Sequence, residues 1–144
     1  MPSIGSELIT YLKSKPAITG KIGAGVAARI WKHEAKQGVK LPYIVIQTFE
    51  GTSDEHLNGI SGIASNRVQV DCYGATEAAA NELAEAVRLA PLQMFRGTMG
   101  TTFVNNVTSD GSSDDGKDRP TQGGNRIRYW VSRDYILTYK EATQ

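Results

Sequence analysis

Few residues in this sequence are capable of nucleophilic catalysis. There is one cysteine, Cys72, and there are two histidines, His33 and His56. Residues 66–73 alternate between apolar and polar types, so Cys72 and its neighbour Asp71 should point to opposite faces of a strand. A catalytic thiol needs its partners on its own side. We therefore interpret Cys72 as a small buried hydrophobe. We predict no catalytic residue and expect that the protein is not an enzyme.

The spacing of the possible ligands does not indicate a metal centre. A zinc site needs three or four convergent His, Cys, Asp or Glu side chains. Asp114, Asp115 and Asp118 are close in sequence, but they lack the spacing of a calcium-binding loop and the glutamate that completes one. The fragment GKIGAG at residues 20–25 lacks the spacing of a phosphate-binding loop. We expect neither a metal nor a cofactor.

Basic and aromatic residues alternate near the end of the chain. Arg126, Arg128 and Arg133 are interleaved with Tyr129 and Trp130, a mixture that can stack on and neutralise a nucleic acid strand. However, Arg128 and Trp130 should face away from Tyr129, and a formal net charge of +1 gives no general attraction to phosphates. Sequence-specific nucleic-acid binding is therefore not expected. A small nucleic-acid-binding module or enzyme is retained as an alternative function.

Length and composition are those of one ordinary globular domain. The chain has 144 residues, of which 40% are hydrophobic and 22% charged. A single cysteine excludes an internal disulfide. The first residues do not resemble a secretory signal, and no apolar run is long enough to span a bilayer. We predict a single domain over residues 1–144, made in the cytoplasm and without a membrane partner.

Hydrophobic periodicity predicts two main helices and several strands. The first helix is capped by Ser3 and ends before Pro16, and the second is capped by Thr76 and ends before Pro91. Residues 17–27 are interpreted as a linker because they are rich in glycine. The predicted strands cover residues 28–34, 43–50, 66–73, 101–108 and 126–140.

These elements predict an α+β fold with a mostly antiparallel sheet of about four to five strands and two main helices packed on it. The antiparallel arrangement is favoured because connections such as residues 51–65 contain no predicted helix. Residues 109–125 contain no large apolar side chain, so a flexible polar loop is expected there. In the last strand Ile127, Tyr129 and Val131 share one face and Ile136 lies on the other. The apolar face therefore changes at residues 132–134, which predicts a bulge.

Three segments resemble a known family of phage proteins. They are LPYIVIQTFEG, ASNRVQVDCYGATEAAANELAEAVRLA and SRDYILTYKE. Together these segments are similar to the tail completion or tail terminator proteins of long-tailed phages, which have a gpU-like fold. The likeness covers residues 41–90 and 129–141, and its most specific part is the strand RVQVDCYG leading directly into the alanine-rich helix.

The resemblance implies a structural virion protein located in the phage tail. Such a protein forms a ring, typically a hexamer, at the head-proximal end of the tail tube, where it ends tube polymerisation and provides the head-joining surface. The implied partners are further copies of the chain, the major tail tube protein and a head-side connector or stopper protein. A head–tail connector or a minor tail subunit is the first alternative.

Ring formation requires each subunit to bury one face against a different face of the next. We therefore expect subunit or partner contacts from polar residues on the predicted strands, namely Arg67, Gln69, Asp71, Arg133 and Asp134. The polar loop is expected to contact the tube or to border the lumen through Asp114, Asp115, Lys117, Asp118 and Arg119.

Overall fold

The computed structural model describes residues 4–23, 25, 28–34, 40–49, 63–88, 97–99, 102–118 and 127–140. Within these ranges the chain forms three helices and six strands. In chain order they are α1 (Ile4–Lys13), α2 (Pro16–Ile22), β1 (Ile30–Lys32), β2 (Tyr43–Phe49), β3 (Ile63–Gly74), α3 (Glu77–Val87), β4 (Gly97–Met99), β5 (Thr102–Asp118) and β6 (Arg128–Lys140). None of the described helices combines the length and apolar character needed to cross a bilayer.

The described strands form one sheet in the order β1-β2-β3-β6-β5-β4. β1 runs parallel to β2, and every other neighbouring pair is antiparallel. The predicted α+β class is confirmed. The predicted strand number is too low because β4 was not predicted, and the sheet is mixed because β1 and β2 are parallel. The longest regular pairing joins β3 to β6, from Ile63 opposite Lys140 to Gly74 opposite Tyr129.

The transition from β3 to α3 follows the prediction closely. The Thr76 hydroxyl oxygen accepts a hydrogen bond of 3.0 Å from the backbone N–H of Ala79, which caps the helix. A Cβ added at Gly74 would lie 2.7 Å from the backbone nitrogen of Ala80. Only glycine therefore allows the strand to turn so closely into the helix. The predicted apolar stripe of α3 is buried: it consists of Ala80, Leu83, Ala84 and Val87.

The main hydrophobic core lies between the helices and one face of the sheet. The helices contribute Leu8 and Leu12 from α1 and Ile18 and Ile22 from α2, all with no exposed surface. The sheet contributes alternate residues of its central strands: Ile44, Ile46, Val68, Val70, Cys72, Val131, Tyr135 and Leu137. Burial of each large aliphatic side chain contributes about 1.5–3 kcal/mol, and this places most of the stabilising apolar contact on the helical side.

The linker prediction is wrong for residues 17–22, which belong to α2. Pro16 begins this helix, at a position where proline's missing N–H costs nothing and its fixed φ suits the helix. Ile18 and Ile22 are four residues apart and are both buried. Pro16 thus follows the end of the first helix and also begins the second.

The bulge predicted at residues 132–134 is also wrong. β6 pairs with β3 without interruption, and its buried face continues through Val131, Tyr135, Leu137 and Tyr139. Ile136 lies on the opposite face, opposite Arg67, and does not mark a change in the buried series. The irregularities occur in β5 instead, between Val104 and Asn106 and between Ser109 and Ser113.

The predicted loop at residues 109–125 is wrong for residues 109–118, which continue β5. Backbone pairing with β6 runs from Ser113 opposite Arg133 to Asp118 opposite Arg128. Pairing with a regular neighbouring strand has overridden the poor strand propensity of this segment. Arg119 and the rest of the predicted loop lie outside the described residues, and the single-domain assignment stays a prediction.

Candidate interaction surface

The face of the sheet opposite the main core carries a continuous group of polar side chains. Residues that are paired across neighbouring strands lie on the same face, and Gln69 is paired with Asp134 and Asp71 with Ser132. We call this group the polar stripe. It consists of Gln47 from β2, Arg67, Gln69 and Asp71 from β3, and Ser132 and Asp134 from β6.

Asp71 is the most densely hydrogen-bonded member of the polar stripe. Its carboxylate is buried, with only 4% of the residue exposed. Oδ2 accepts a hydrogen bond of 2.8 Å from Gln47 Nε2, and Oδ1 accepts one of 2.8 Å from Gln69 Nε2 and another from Ser132 Oγ. Donors from three strands thus converge on one carboxylate. A buried carboxylate needs such partners because burial without hydrogen bonds would be very costly.

Asp134 is buried beside Asp71 and is paired with Arg67. Arg67 Nε donates a hydrogen bond of 2.9 Å to Asp134 Oδ2, and its NH2 group binds the same oxygen. The Asp134 side chain is 10% exposed and that of Arg67 is 44% exposed. The anion is therefore fixed within the sheet, while part of the cation stays accessible at the surface.

Arg133 lies on the other face of the sheet and belongs to a different network. Its NH1 group donates a hydrogen bond of 2.9 Å to Glu85 Oε1, and Arg88 NH2 donates one of 2.8 Å to Glu85 Oε2. These bonds, first from Arg88 and then from Arg133, lower the pKa of the Glu85 carboxyl. The five predicted contact residues therefore occupy two faces: four lie in the polar stripe, and Arg133 lies beside α3.

Aromatic rings continue the same face beyond the polar stripe. The rings of Tyr43 and Tyr73 are stacked with centroids 4.6 Å apart, and Trp31 meets Tyr43 edge-on at 6.0 Å. The Arg128 guanidinium lies 5.0 Å from the centre of the Tyr73 ring and donates a hydrogen bond of 2.7 Å to the Tyr43 hydroxyl. These contacts join side chains of different strands, so alternation along the last strand alone does not reveal them.

The acidic residues of the predicted loop are held in β5. Asp114 is paired with Ser132, Lys117 with Tyr129 and Asp118 with Arg128. Between these positions, a Cβ added at Gly116 would lie 2.7 Å from Cζ2 of Trp130. The Trp130 ring thus occupies the space above a residue that has no side chain, and it fixes this part of β5 against β6.

A comparison with models of known families gives a match over most of the chain. Residues 6–132 match the family described as Tail completion protein gp17. The chain belongs to this family. The match confirms the predicted likeness to phage tail completion proteins. A search of curated proteins found no match.

Membership of the tail completion family makes the chain a structural component of a phage tail. The predicted place in the virion is thereby supported at the level of the tail, and the role agrees with the expectation of a non-enzymatic protein. The match covers all of β5 and ends at Ser132, within β6. β5 and every residue of the polar stripe except Asp134 therefore belong to the part of the chain that the family model covers.

Two buried side chains of this tail protein, Cys72 and Tyr135, carry titratable groups. Cys72 is fully buried, and burial together with the neighbouring Asp71 charge raises the pKa of its thiol, which is therefore protonated and unreactive at neutral pH. Burial also raises the pKa of Tyr135 to about 12, and its hydroxyl has no hydrogen-bond partner among the described residues. Within the same residues, no three His, Cys, Asp or Glu side chains are grouped as metal ligands.

The sequence reading missed two residues that position the elements. Glu7 is buried in α1, and its Oε2 accepts a hydrogen bond of 2.9 Å from the backbone N–H of Thr102 at the start of β5. In the sequence, the position of Glu7 between Ile4 and Leu8, on the apolar stripe of the first helix, indicates that its side chain faces the core. Arg29 donates hydrogen bonds to the carbonyl oxygens of Pro42 and Lys21, and so joins the end of α2 to the beginning of β2.

Proposed function

We propose that this protein forms a ring, with six copies expected, at the head-proximal end of the tail tube. The ring ends tube polymerisation and provides the surface to which the head is joined. The observation that carries this proposal is the family match, which covers residues 6–132 and identifies a protein that completes the tail. The proposed partners are other copies of the chain, the major tail tube protein and a head-side connector or stopper protein.

The polar stripe supports this proposal because it is a rigid surface. Asp71 and Asp134 are fixed by donors from neighbouring strands, so the stripe loses little conformational freedom when a partner binds. We propose that Arg67, Gln69, Asp71 and Asp134 contribute to a subunit or partner contact. In that contact Arg67 presents the exposed part of its side chain, and Asp71 holds Gln47 and Gln69 in place from within the sheet.

Arg133 contributes to a contact on the helical side of the sheet. Its guanidinium is fixed by Glu85, and its side chain is 21% exposed. A heterologous ring contact needs two different surfaces on each subunit. The polar stripe and the surface around Arg133 satisfy this requirement because they lie on opposite faces of the sheet.

The acidic end of β5 is proposed to contact the tube or to border the lumen. The residues concerned are Asp114, Asp115, Lys117, Asp118 and Arg119. A lumen bordered by carboxylates would repel the phosphates of passing DNA and so keep the DNA from adhering to the wall. Electron microscopy of assembled tails that placed this strand on the outer surface would exclude the lumen role.

Deletion of the gene in the phage tests the proposed function. The expected lysate contains filled heads without tails and free tails that are overlong or unable to join heads. Expression of the wild-type protein from a plasmid should restore joined particles, and micrographs of labelled protein should show it at the head-proximal tail end. Short or absent tubes would contradict the proposal, because they would indicate a protein that initiates or builds the tube.

A further inference from the structure

The polar stripe carries an excess of negative charge. It contains two carboxylates, those of Asp71 and Asp134, and one cation, Arg67, which is bonded to Asp134. The hydrogen bonds described for Asp71 come from two glutamine amides and a serine hydroxyl, all of them neutral. A protein that covers the stripe removes the remaining water from these carboxylates. Such a step is costly unless the partner brings a positive charge.

The helical face of the sheet carries an excess of positive charge beside the end of α3. There the guanidiniums of Arg88 and Arg133 share one carboxylate, that of Glu85. We call these three residues the arginine cluster. All three side chains reach the surface, with exposed fractions of 38% for Arg88, 39% for Glu85 and 21% for Arg133. A partner that covers the arginine cluster should therefore bring a negative charge.

Each of the two surfaces offers the charge that the other lacks. The polar stripe has two carboxylates and one guanidinium, whereas the arginine cluster has two guanidiniums and one carboxylate. Two stripes that faced each other would repel, and so would two clusters. The favoured contact between copies therefore joins a stripe to a cluster, because complementary charges steer two surfaces together and fix their orientation.

We infer that the arginine cluster of one subunit docks on the polar stripe of the next copy. This inference rests on the proposed ring and names the two surfaces that meet in it. Because the surfaces lie on opposite faces of the sheet, the contact is head-to-tail and can close into a ring. Arg88 and Arg133 have N–H donors beyond those bonded to Glu85, and the carboxylate and amide oxygens of the stripe can accept them.

Cysteine cross-linking tests which surfaces meet. Residues 69 and 88 lie on opposite faces of the sheet within one subunit, so a short cross-linker can join them only between copies. The gene-deleted phage is supplied with two differently tagged chains, one with Gln69→Cys and the other with Arg88→Cys. After treatment of the tails with a short bismaleimide, a product that carries both tags should form. The native Cys72 is buried and should not react.

Single replacements and a distant cysteine are the controls for this product. Two tagged chains that both carry Gln69→Cys, or both carry Arg88→Cys, should give no joined product. Gln69→Cys combined with Ala78→Cys, at the exposed beginning of α3, should give none either. A product that joins 69 to 69 or 88 to 88 would indicate a two-fold contact and would overturn the inference.

Charge reversal tests the physical reason for the contact. Arg88→Glu gives the cluster an excess of negative charge and should lower the yield of infectious particles by about tenfold or more, because both surfaces then repel. Gln69→Lys in the same chain removes the negative excess of the stripe and should recover part of the loss. Lys13→Glu, the same charge change at an exposed position of α1, is the matched control. If Arg88→Glu assembles as well as Lys13→Glu, the inference is wrong.

Chemical modification of the unaltered protein covers the case in which a variant fails to fold. Phenylglyoxal reacts with exposed guanidiniums, and both Arg67 of the stripe and Arg88 of the cluster are partly exposed in the single subunit. On tails, both should lose most of the reactivity that they show in dilute, monomeric protein. If either keeps that reactivity on tails that carry the protein, the contact is wrong while the proposed function stands. If the protein is absent from head-proximal tail ends, the function itself fails.

Discussion

The inner pair β2–β3 and the outer strand β5 have the same backbone conformation for different reasons. β2 and β3 are rich in β-branched residues, and their buried side chains pack against the helices. The second half of β5 consists of Ser, Asp, Gly and Lys, which have low strand propensity. Its conformation depends on pairing with β6 and on the Trp130 ring above Gly116. Composition specifies a strand in the first region, whereas a neighbouring strand specifies it in the second.

The largest effect is expected in the inner pair. Ile46→Ala removes a fully buried side chain of β2 and leaves a cavity between the sheet and the helices. We expect a loss of about 2–5 kcal/mol in the free energy of unfolding, measured by urea denaturation. Thr108→Ala, at an exposed position of β5, should change it by less than about 0.5 kcal/mol. Equal effects at both positions would remove the distinction between the two regions.

A somewhat smaller loss is expected on the polar face of the inner region. Asp71→Leu removes the acceptor shared by Gln47, Gln69 and Ser132. Their donors are then left without that partner, and the free energy of unfolding should fall by about 2–3 kcal/mol. Asp71→Asn keeps one acceptor oxygen and should lose less. If the leucine variant is as stable as the wild type, the network contributes no net stability, as is known for some buried polar groups.

An effect confined to the outer strand is expected at Gly116. The Cβ of Gly116→Ala would press against the Trp130 ring and displace it. We expect a loss of about 1–2 kcal/mol, with faster hydrogen exchange in residues 113–118 and little change in β3. Trp130→Ala should loosen the same amides, and the two changes together should cost less than their sum. Faster exchange throughout the sheet would show that β5 is not the weaker region.

The smallest change in stability is expected at Tyr135, on the strand shared by both regions. Tyr135→Phe removes a buried hydroxyl without a described partner and should raise the free energy of unfolding by about 1 kcal/mol at neutral pH. Burial raises the pKa of Tyr135 from 10 to about 12, so the folded state binds its proton more tightly. The wild type should therefore lose stability as pH rises from about 10 to 12, and the variant should lack this part of the slope. Thermal melts across that range measure the difference, and identical slopes would contradict it.

The sequence predicted the parts of the fold that depend on local signals. Thr76, the alanine-rich stripe and the alternation of residues 66–73 each specify their element without distant contacts, and β3 and α3 were found where predicted. The strand character of residues 109–118 was not visible because it depends on β6. The uninterrupted apolar face of β6 depends on the burial of Tyr135 and Tyr139, which the residue type alone does not specify because tyrosine is buried only in some contexts.

The candidate contact residues were predicted less completely than the fold. Alternation correctly placed Arg67, Gln69 and Asp71 on one face. It could not show that Asp71 and Asp134 are buried, since burial there arises from donors on neighbouring strands.

The hydrogen bond between Glu7 and Thr102 has a consequence for biosynthesis. It joins residues 95 positions apart. The pairing of β3 with β6 can likewise form only after β6 has been synthesised. During translation this hydrogen bond therefore cannot form until most of the polypeptide has left the ribosome. A nascent chain interrupted before β6 would lack the middle of its sheet, so unfinished copies would be excluded from the growing virion.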